Sequence, residues 1–258
     1  MKWPVCLGLL IVLRSTGGTP LRNEQFAFHI LRGDEYYRAF DNQRALKEYA
    51  EAYRLAPDSF SALQRMVVIY NDLGRIYLHH DTSSISFYQK SLEFSDTLCA
   101  RFPERAESHF WLALNEGSLI PFSGVKEKVM RAKKVLAETH RALQLDSTLS
   151  AAYVLLGIFQ REAANIGWFE RVIARVVFGA EVSGTVQEAE SLFHKALQYD
   201  TTNPYAYFEL FWTYRAMGKD VKARESLLTL VSLTPTNERE REQREEARVL
   251  LAELDEKR

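Results

Sequence analysis

At 258 residues, with 47% hydrophobic content and 12% aromatic residues, the chain carries enough apolar mass for a continuous core, which excludes an intrinsically disordered protein. A formal net charge of -1 offers no broad basic face, so nucleic acid is not an expected partner. The two cysteines, Cys6 and Cys99, encode no disulfide framework, and Cys99 reads as a small buried apolar residue.

The chain opens with Lys2, the largely apolar run Trp3 to Leu13, Arg14, and then the small and polar Ser15, Thr16, Gly17 and Gly18. That order is the order of a signal peptide, and the run is shorter than the roughly 20 residues a membrane span needs. Residues 1–20 are therefore expected to be a cleavable leader or a membrane-anchoring segment. Cys6 lies too early in the apolar run for a lipid-attachment cysteine.

From there a pattern recurs at a spacing of about 34 residues. Ala45, Tyr49, Ala52 and Pro57 return as Ala189, Phe193, Ala196 and Thr201, and again as Ala223, Leu227, Leu230 and Pro235. A small residue, a large one, a small one and a helix stop mark the second helix of a tetratricopeptide (TPR) repeat. Counting back from the stops places repeats near 26–59, 60–105, 106–149, 150–203 and 204–236. Their first helices carry Gly33 and Tyr36, Ala62 and Tyr70, Leu112 and Ala113, Tyr153 with Leu156 and Gly157, and Tyr207 with Leu210 and Tyr214. Small residues let helices approach while aromatics fill the layer between them. A helix pair of this kind buries no apolar face alone, so the expected fold is all-α: a right-handed TPR-like α-solenoid of about five helix pairs over 24–258.

The second, third and fourth repeats run long, and the extra residues are expected between the paired helices at about Asp72–Ser86, Gly117–Lys126 and Ala164–Gly184. After Pro235, residues 238–256 are dense in Glu and Arg, with Ala247, Leu250, Leu251 and Leu254 at helical spacing. They read as a solvated capping helix.

The third of these insertions holds Ala164 to Phe178, including Trp168, Phe169, Arg171, Arg175 and Phe178. Flanked by Tyr153, Leu156 and Gly157 before it and Glu188, Ala189 and Phe193 after it, it resembles the regulator of microtubule dynamics family from about Arg105 to Leu254, with Asp146 and Asp200 at helix ends. The resemblance implies an all-helical module that acts by association, with eukaryotic members linked to microtubules, spindle poles and organelle membranes, and it implies no reaction. The export-type leader departs from it and points to a bacterial-type exported relative. A weaker similarity runs to exported TPR components of solute-binding transport systems.

No phosphate loop, nucleophile elbow or zinc signature is present, so no catalytic residue, cofactor or metal is expected. His79 and His80 are adjacent and diverge on a helix; His29, His109, His140 and His194 read as structural. A binding surface is read more positively. First-helix positions two, five, nine, twelve and thirteen line the concave face of a TPR stack. They give Ile30, Asp34, Tyr37 and Arg38; Gln64, Val68 and Asn71; Phe110 and Leu114; Val154, Ile158 and Arg161; and Tyr205, Phe208, Trp212 and Arg215. The arginines would meet carboxylates, Asn71 would bond partner backbone, and the last set carries the aromatic and arginine types of interaction hot spots, unless its aromatics pack under the capping helix. In the inserted segment Arg171 and Arg175 share one face and an apolar face lies opposite, suited to the groove or a lipid interface.

The expected function is a non-enzymatic, exported scaffold holding a protein or peptide on its concave face. Two alternatives stand beside it. One is an accessory protein of a periplasmic or envelope transport system that binds a small apolar ligand in a cavity flanked by Trp168 and Phe110. The other is a membrane-associated tether that uses residues 1–20.

Overall fold

The computed structural model describes residues 20–77, 83–167 and 183–256. Among them it shows eleven α-helices and no strand. Five hairpins follow one another: α1 (Pro20–Arg38) with α2 (Asn42–Leu55), α3 (Phe60–Ile76) with α4 (Ser83–Arg101), α5 (Ala106–Leu119) with α6 (Val125–Leu145), α7 (Ser150–Asn165) with α8 (Val186–Tyr199), and α9 (Pro204–Ala216) with α10 (Asp220–Ser232). A last helix, α11 (Glu238–Glu256), follows. Each hairpin packs on the next, and α3, α5, α7 and α9 also touch in succession. The protein is an all-α, TPR-like solenoid.

Local chemistry sets the helix ends. Asp41 caps α2 by accepting from Arg44 N at 3.0 Å, and Asn203 caps α9 from the backbone of Tyr205 and Ala206, with Pro204 pre-set as the first helical residue. Thr185 caps α8 by accepting from Glu188 N at 3.1 Å, and its hydroxyl donates to Glu188 Oε2 at 2.9 Å. Asp146 and Asp200 end α6 and α8, and each carboxylate turns the chain by accepting from the amide and hydroxyl two residues on, at Thr148 and Thr202.

The core is a series of seams rather than one centre. Ala45, Tyr49 and Ala52 are fully or nearly fully buried, as are Ala189, Phe193 and Ala196. Within a hairpin the aromatic of the second helix lies on a glycine of the first. A β-carbon added at Gly33, Gly74 or Gly157 would come within 2.3 Å of Tyr49, 2.8 Å of Tyr88 or 2.4 Å of Phe193. These contacts set the spacing of the layers.

The expected insertion loops are corrected by the structure. Residues 72–76 prolong α3, residues 83–86 begin α4, and 117–119 prolong α5 before a 3-10 turn at Ile120–Phe122. Extra chain lengthens helices because it keeps supplying apolar residues at helical spacing. Tyr70, Tyr77, Phe87 and Phe94 stack with ring centroids 5.4 to 6.3 Å apart and close the longer hairpin. The leader 1–19, His79 and His80, and Trp168, Phe169, Arg171, Arg175 and Phe178 of the inserted segment lie outside the described residues. Among the described residues no helix is long and apolar enough to cross a membrane.

Candidate functional site

The first helices α1, α3, α5, α7 and α9 carry the residues expected on the concave face, and many of these residues are engaged by the chain itself. The last helix caps the stack as expected, with Ala247 buried and Leu250, Leu251 and Leu254 packed on the α8–α10 core. Its first turn does something that a solvated cap does not. The Arg239 guanidinium lies over the Tyr205 ring at 4.8 Å, and that of Arg241 over Phe40, in the turn between α1 and α2, at 5.1 Å. Helix α11 packs on both α3 and α9. It therefore reaches across the inside of the solenoid to the first two repeats, and Asn237 and Glu240 fix its start by capping, with Glu240 accepting from Thr236 N at 2.7 Å.

Around that turn the inner helices bring opposite charges together. Asp72 of α3 is 4% exposed and accepts from the Tyr37 hydroxyl at 2.5 Å. Burial pushes its carboxyl above the usual carboxylate range, although Arg239, Tyr37 and Arg75 all favour the ionised form. Glu209 of α9 is likewise raised by burial against the opposing pull of Arg161, which bonds it at 2.5 Å. Burial also pushes Tyr205 up to about 12, and raises the Tyr37 phenol further, with Asp72 adding to it. The Nε atoms of Arg75 and Arg239 are buried without a hydrogen-bond partner.

The structure places several of the expected contact residues in bonds within the chain. Asn71 is 2% exposed, and its amide donates to Asn115 Oδ1 at 2.7 Å, while Asn115 donates to Ser95 Oγ at 2.7 Å; these bonds tie α3, α4 and α5 together. Arg161 is held by Glu209 and by Glu162, with its side chain 13% exposed. Ile30 and Val154 are buried, and Phe208 is buried in the α8–α10 core. Asp34 accepts from Arg65 Nε and Nη2 at 2.7 Å each and from the Tyr49 hydroxyl at 2.8 Å; burial alone would raise its carboxyl, and these bonds hold it below the usual range. Gln64, Val68, Phe110, Leu114 and Ile158 are half-buried along the inner helices.

The aromatic set of α9 splits between its two expected readings. Tyr205 packs under the last helix, whereas Trp212 stays 40% exposed, its ring edge-on to Phe211 at 4.8 Å and Phe208 at 6.2 Å. Arg215, one turn on, pairs with Asp220 at 2.8 Å, and both side chains are exposed. Arg38 is exposed and bonds the Asp34 carbonyl at 3.0 Å. Sequence reading missed Arg75, which it placed in an insertion loop, and Arg239, which it placed on a solvated face. The Thr236-Asn237…Glu240 capping signal was legible, but nothing local marks Arg239 as inward.

Two clefts occur among the described residues near these elements. One of about 420 Å³ lies where α10 leads into α11, lined by Pro204, Leu230, Pro235, Thr236, Glu240 and Arg244 among others. The other, of about 270 Å³, lies beside Arg22, Phe26 and Leu55. Phe110 lines neither, and Trp168 of the expected apolar cavity is outside the described residues.

Outside the concave face, α4, α5 and α6 bring Cys99, His109 and Glu138 into one cluster. Burial, helped by Glu138 and Asp96, pushes the Cys99 thiol up. Cys99 Sγ lies 3.5 Å from Nδ1, which Glu138 holds at 2.6 Å, and 4.0 Å from Nε2, which faces the Pro103 carbonyl at 2.8 Å, whereas a nucleophile relay needs the thiol and the carboxylate bonded to opposite nitrogens.

The model of the family described as Regulator of microtubule dynamics protein 1-3 matches residues 30–255, starting well before the Arg105 at which the sequence resemblance begins. Regulator of microtubule dynamics protein 1 of Bos taurus is 27% identical over 117 residues, 45% of this chain and 35% of that protein. The same protein of Pongo abelii is 23% identical over 171 residues, 66% and 54% of the two chains. Regulator of microtubule dynamics protein 3 of Rattus norvegicus is 26% identical over 167 residues, 64% and 35%. The chain thus matches 35% to 54% of the length of these relatives. Among solved structures, TTC0263, a thermophilic TPR protein in Thermus thermophilus, superposes with a TM-score of 0.61 over 87% of this chain and 99% of that one, at 17% identity, which is a likeness of fold. With its repeats matched from the first described helix into the last, the chain belongs to the regulator of microtubule dynamics protein 1-3 family.

Proposed function

We propose that the protein is a non-enzymatic scaffold that holds a protein or peptide partner on the part of its concave face left open by its own last helix. The observation that carries this reading is Trp212, a large aromatic 40% exposed on α9, three residues after Glu209, which Arg161 bonds. Exposed tryptophan next to arginine is the residue chemistry of interface hot spots. The Arg215–Asp220 pair is exposed on both sides, and such pairs contribute only about 0.2–1 kcal/mol, so a partner carboxylate exchanges for Asp220 at little cost.

The test is affinity capture with the wild-type protein beside a Trp212→Ala, Arg215→Ala double variant. Loss of the captured partners from the variant alone supports the reading; an unchanged set removes it. By family membership we extend the proposal to microtubule-associated partners, which a tubulin co-sedimentation assay checks. Residues 1–20 as a leader or anchor complete the proposal, and fractionation decides between a secreted or periplasmic protein and one that pellets with membranes.

A further inference from the structure

Cys99 lies near the end of α4, His109 in the first turns of α5 and Glu138 within α6, and their ligand atoms all fall within 4.8 Å of one another. His109 is buried, and its Nε2 lies 2.8 Å from the Pro103 carbonyl oxygen. A carbonyl only accepts, so Nε2 carries the proton and donates it. In the neutral ring Nδ1 is then a bare lone pair; Glu138 Oε2 lies 2.6 Å from it, and Cys99 Sγ lies beside the ring, 3.5 Å from Nδ1 and 4.0 Å from Nε2. These three electron-rich donors lie within 4.8 Å of one another, close enough for small side-chain rotations to bring them to one positive centre. A proton on Nδ1 satisfies Glu138 alone; a metal ion satisfies all three.

We infer that Cys99 Sγ, His109 Nδ1 and a Glu138 carboxylate oxygen bind a divalent ion of the zinc class, with water in the fourth position. One sulfur, one imidazole nitrogen and one carboxylate oxygen form a mixed donor set that zinc accepts, whereas calcium and magnesium take oxygen ligands. The His109 Nε2–H bond to a backbone carbonyl is the outer contact that metal-binding histidines usually make, and it fixes the tautomer that leaves Nδ1 free. Ligation at about 2.0–2.3 Å needs Cys99 Sγ to turn toward the Nδ1 side of the ring and Glu138 to swing from its hydrogen-bond distance; the Glu138 side chain is 23% exposed and Cys99 is half-buried, so both can turn. The neighbouring cation, Lys134, is drawn off by Glu116 at 2.8 Å and Asp96 at 3.3 Å. Such an ion clips the second repeat to the third on α4, α5 and α6.

The full chain, stripped with a chelator, is titrated with Co²⁺ by absorption and with Zn²⁺ by calorimetry, in a Cys6→Ser background so that Cys99 is the one thiol present. We expect a single equivalent bound, with the near-ultraviolet band of a cobalt–thiolate bond and tetrahedral visible bands. Removing an outer-shell partner costs about 10–100-fold in affinity, so Cys99→Ser and His109→Gln, each checked for unchanged helix content, should lose more than that. Glu138→Gln, on the exposed side, tests the carboxylate without disturbing the core and should also weaken binding. Absence of stoichiometric uptake, or a thiolate band that survives Cys99→Ser, overturns the assignment.

Discussion

Replacing Gly157 by alanine tests the stacking that defines the fold. In an exposed helix the change is stabilising by about 0.8–1 kcal/mol through helix propensity alone. Here the new β-carbon would lie 2.4 Å from Phe193 Cε1 and 2.7 Å from Cζ. The Phe193 ring is fully buried and belongs to the α8–α10 core, so it has no free volume to move into. Relieving an overlap of about 1 Å requires α7 and α8 to part, an overpacking cost of about 1–3 kcal/mol. The net is a loss of about 1 kcal/mol, or roughly 2–4 °C in Tm for a chain of this size. Denaturant melts of Gly157→Ala, Phe193→Leu and the double variant check it. Once the ring edge is removed, the same alanine should turn stabilising, so the sign of the Gly157→Ala effect reverses between backgrounds. A stabilising effect of alanine in the wild-type chain would refute the close approach.

Tyr37→Phe removes the hydroxyl that donates to buried Asp72; leaving a buried acceptor unpaired costs about 1–3 kcal/mol, readable in urea melts. Asn115→Ala removes the 2.7 Å acceptor of the buried Asn71 amide, leaving it only Ser118 Oγ at 3.5 Å, and should cost a similar amount, about 1–3 kcal/mol. Asp72 and Glu209 give a pH signature. Both carboxyls are raised in the folded state, so at these two sites the native protein holds protons that the unfolded chain has released, between the ordinary carboxylate values, 3.8 and 4.5, and the raised ones. Their contribution to stability therefore grows as pH falls through the raised values, opposite to the usual acid loss. Asp72→Asn keeps an oxygen for Tyr37 and should flatten this slope; a slope unchanged by Asp72→Asn contradicts it.

The repeat architecture was legible because it rests on contacts between residues a fixed distance apart: Ala189, Phe193 and Ala196 recur in the register of Ala45, Tyr49 and Ala52, and all six are fully or nearly fully buried. The glycine-under-aromatic seams follow from the same register. The concave face was legible only in part. Position along a first helix places Asn71, Arg161 and Phe208 on the inside, but their use is decided by neighbours on other repeats, Asn115, Glu209 and the α8–α10 core. The path of α11 was hidden for the same reason. A run of Glu and Arg has no apolar period to show that its first turn is buried, and Arg239 meets its partners Tyr205 and Asp72 only after the solenoid has curved. The Cys99, His109 and Glu138 cluster has no short sequence spacing, because three separate helices bring it together.

The central claim is that the last helix lies inside the solenoid and spans from the fifth repeat to the first. Spin labels at Ala39→Cys and Arg241→Cys, both exposed positions next to and within the Phe40–Arg241 contact, measure this directly in a background lacking Cys6 and Cys99. Strong dipolar broadening from a single short separation is the expected result. Labels separated by the length of the repeat stack would show a helix that merely caps the end, and would contradict the occupied groove.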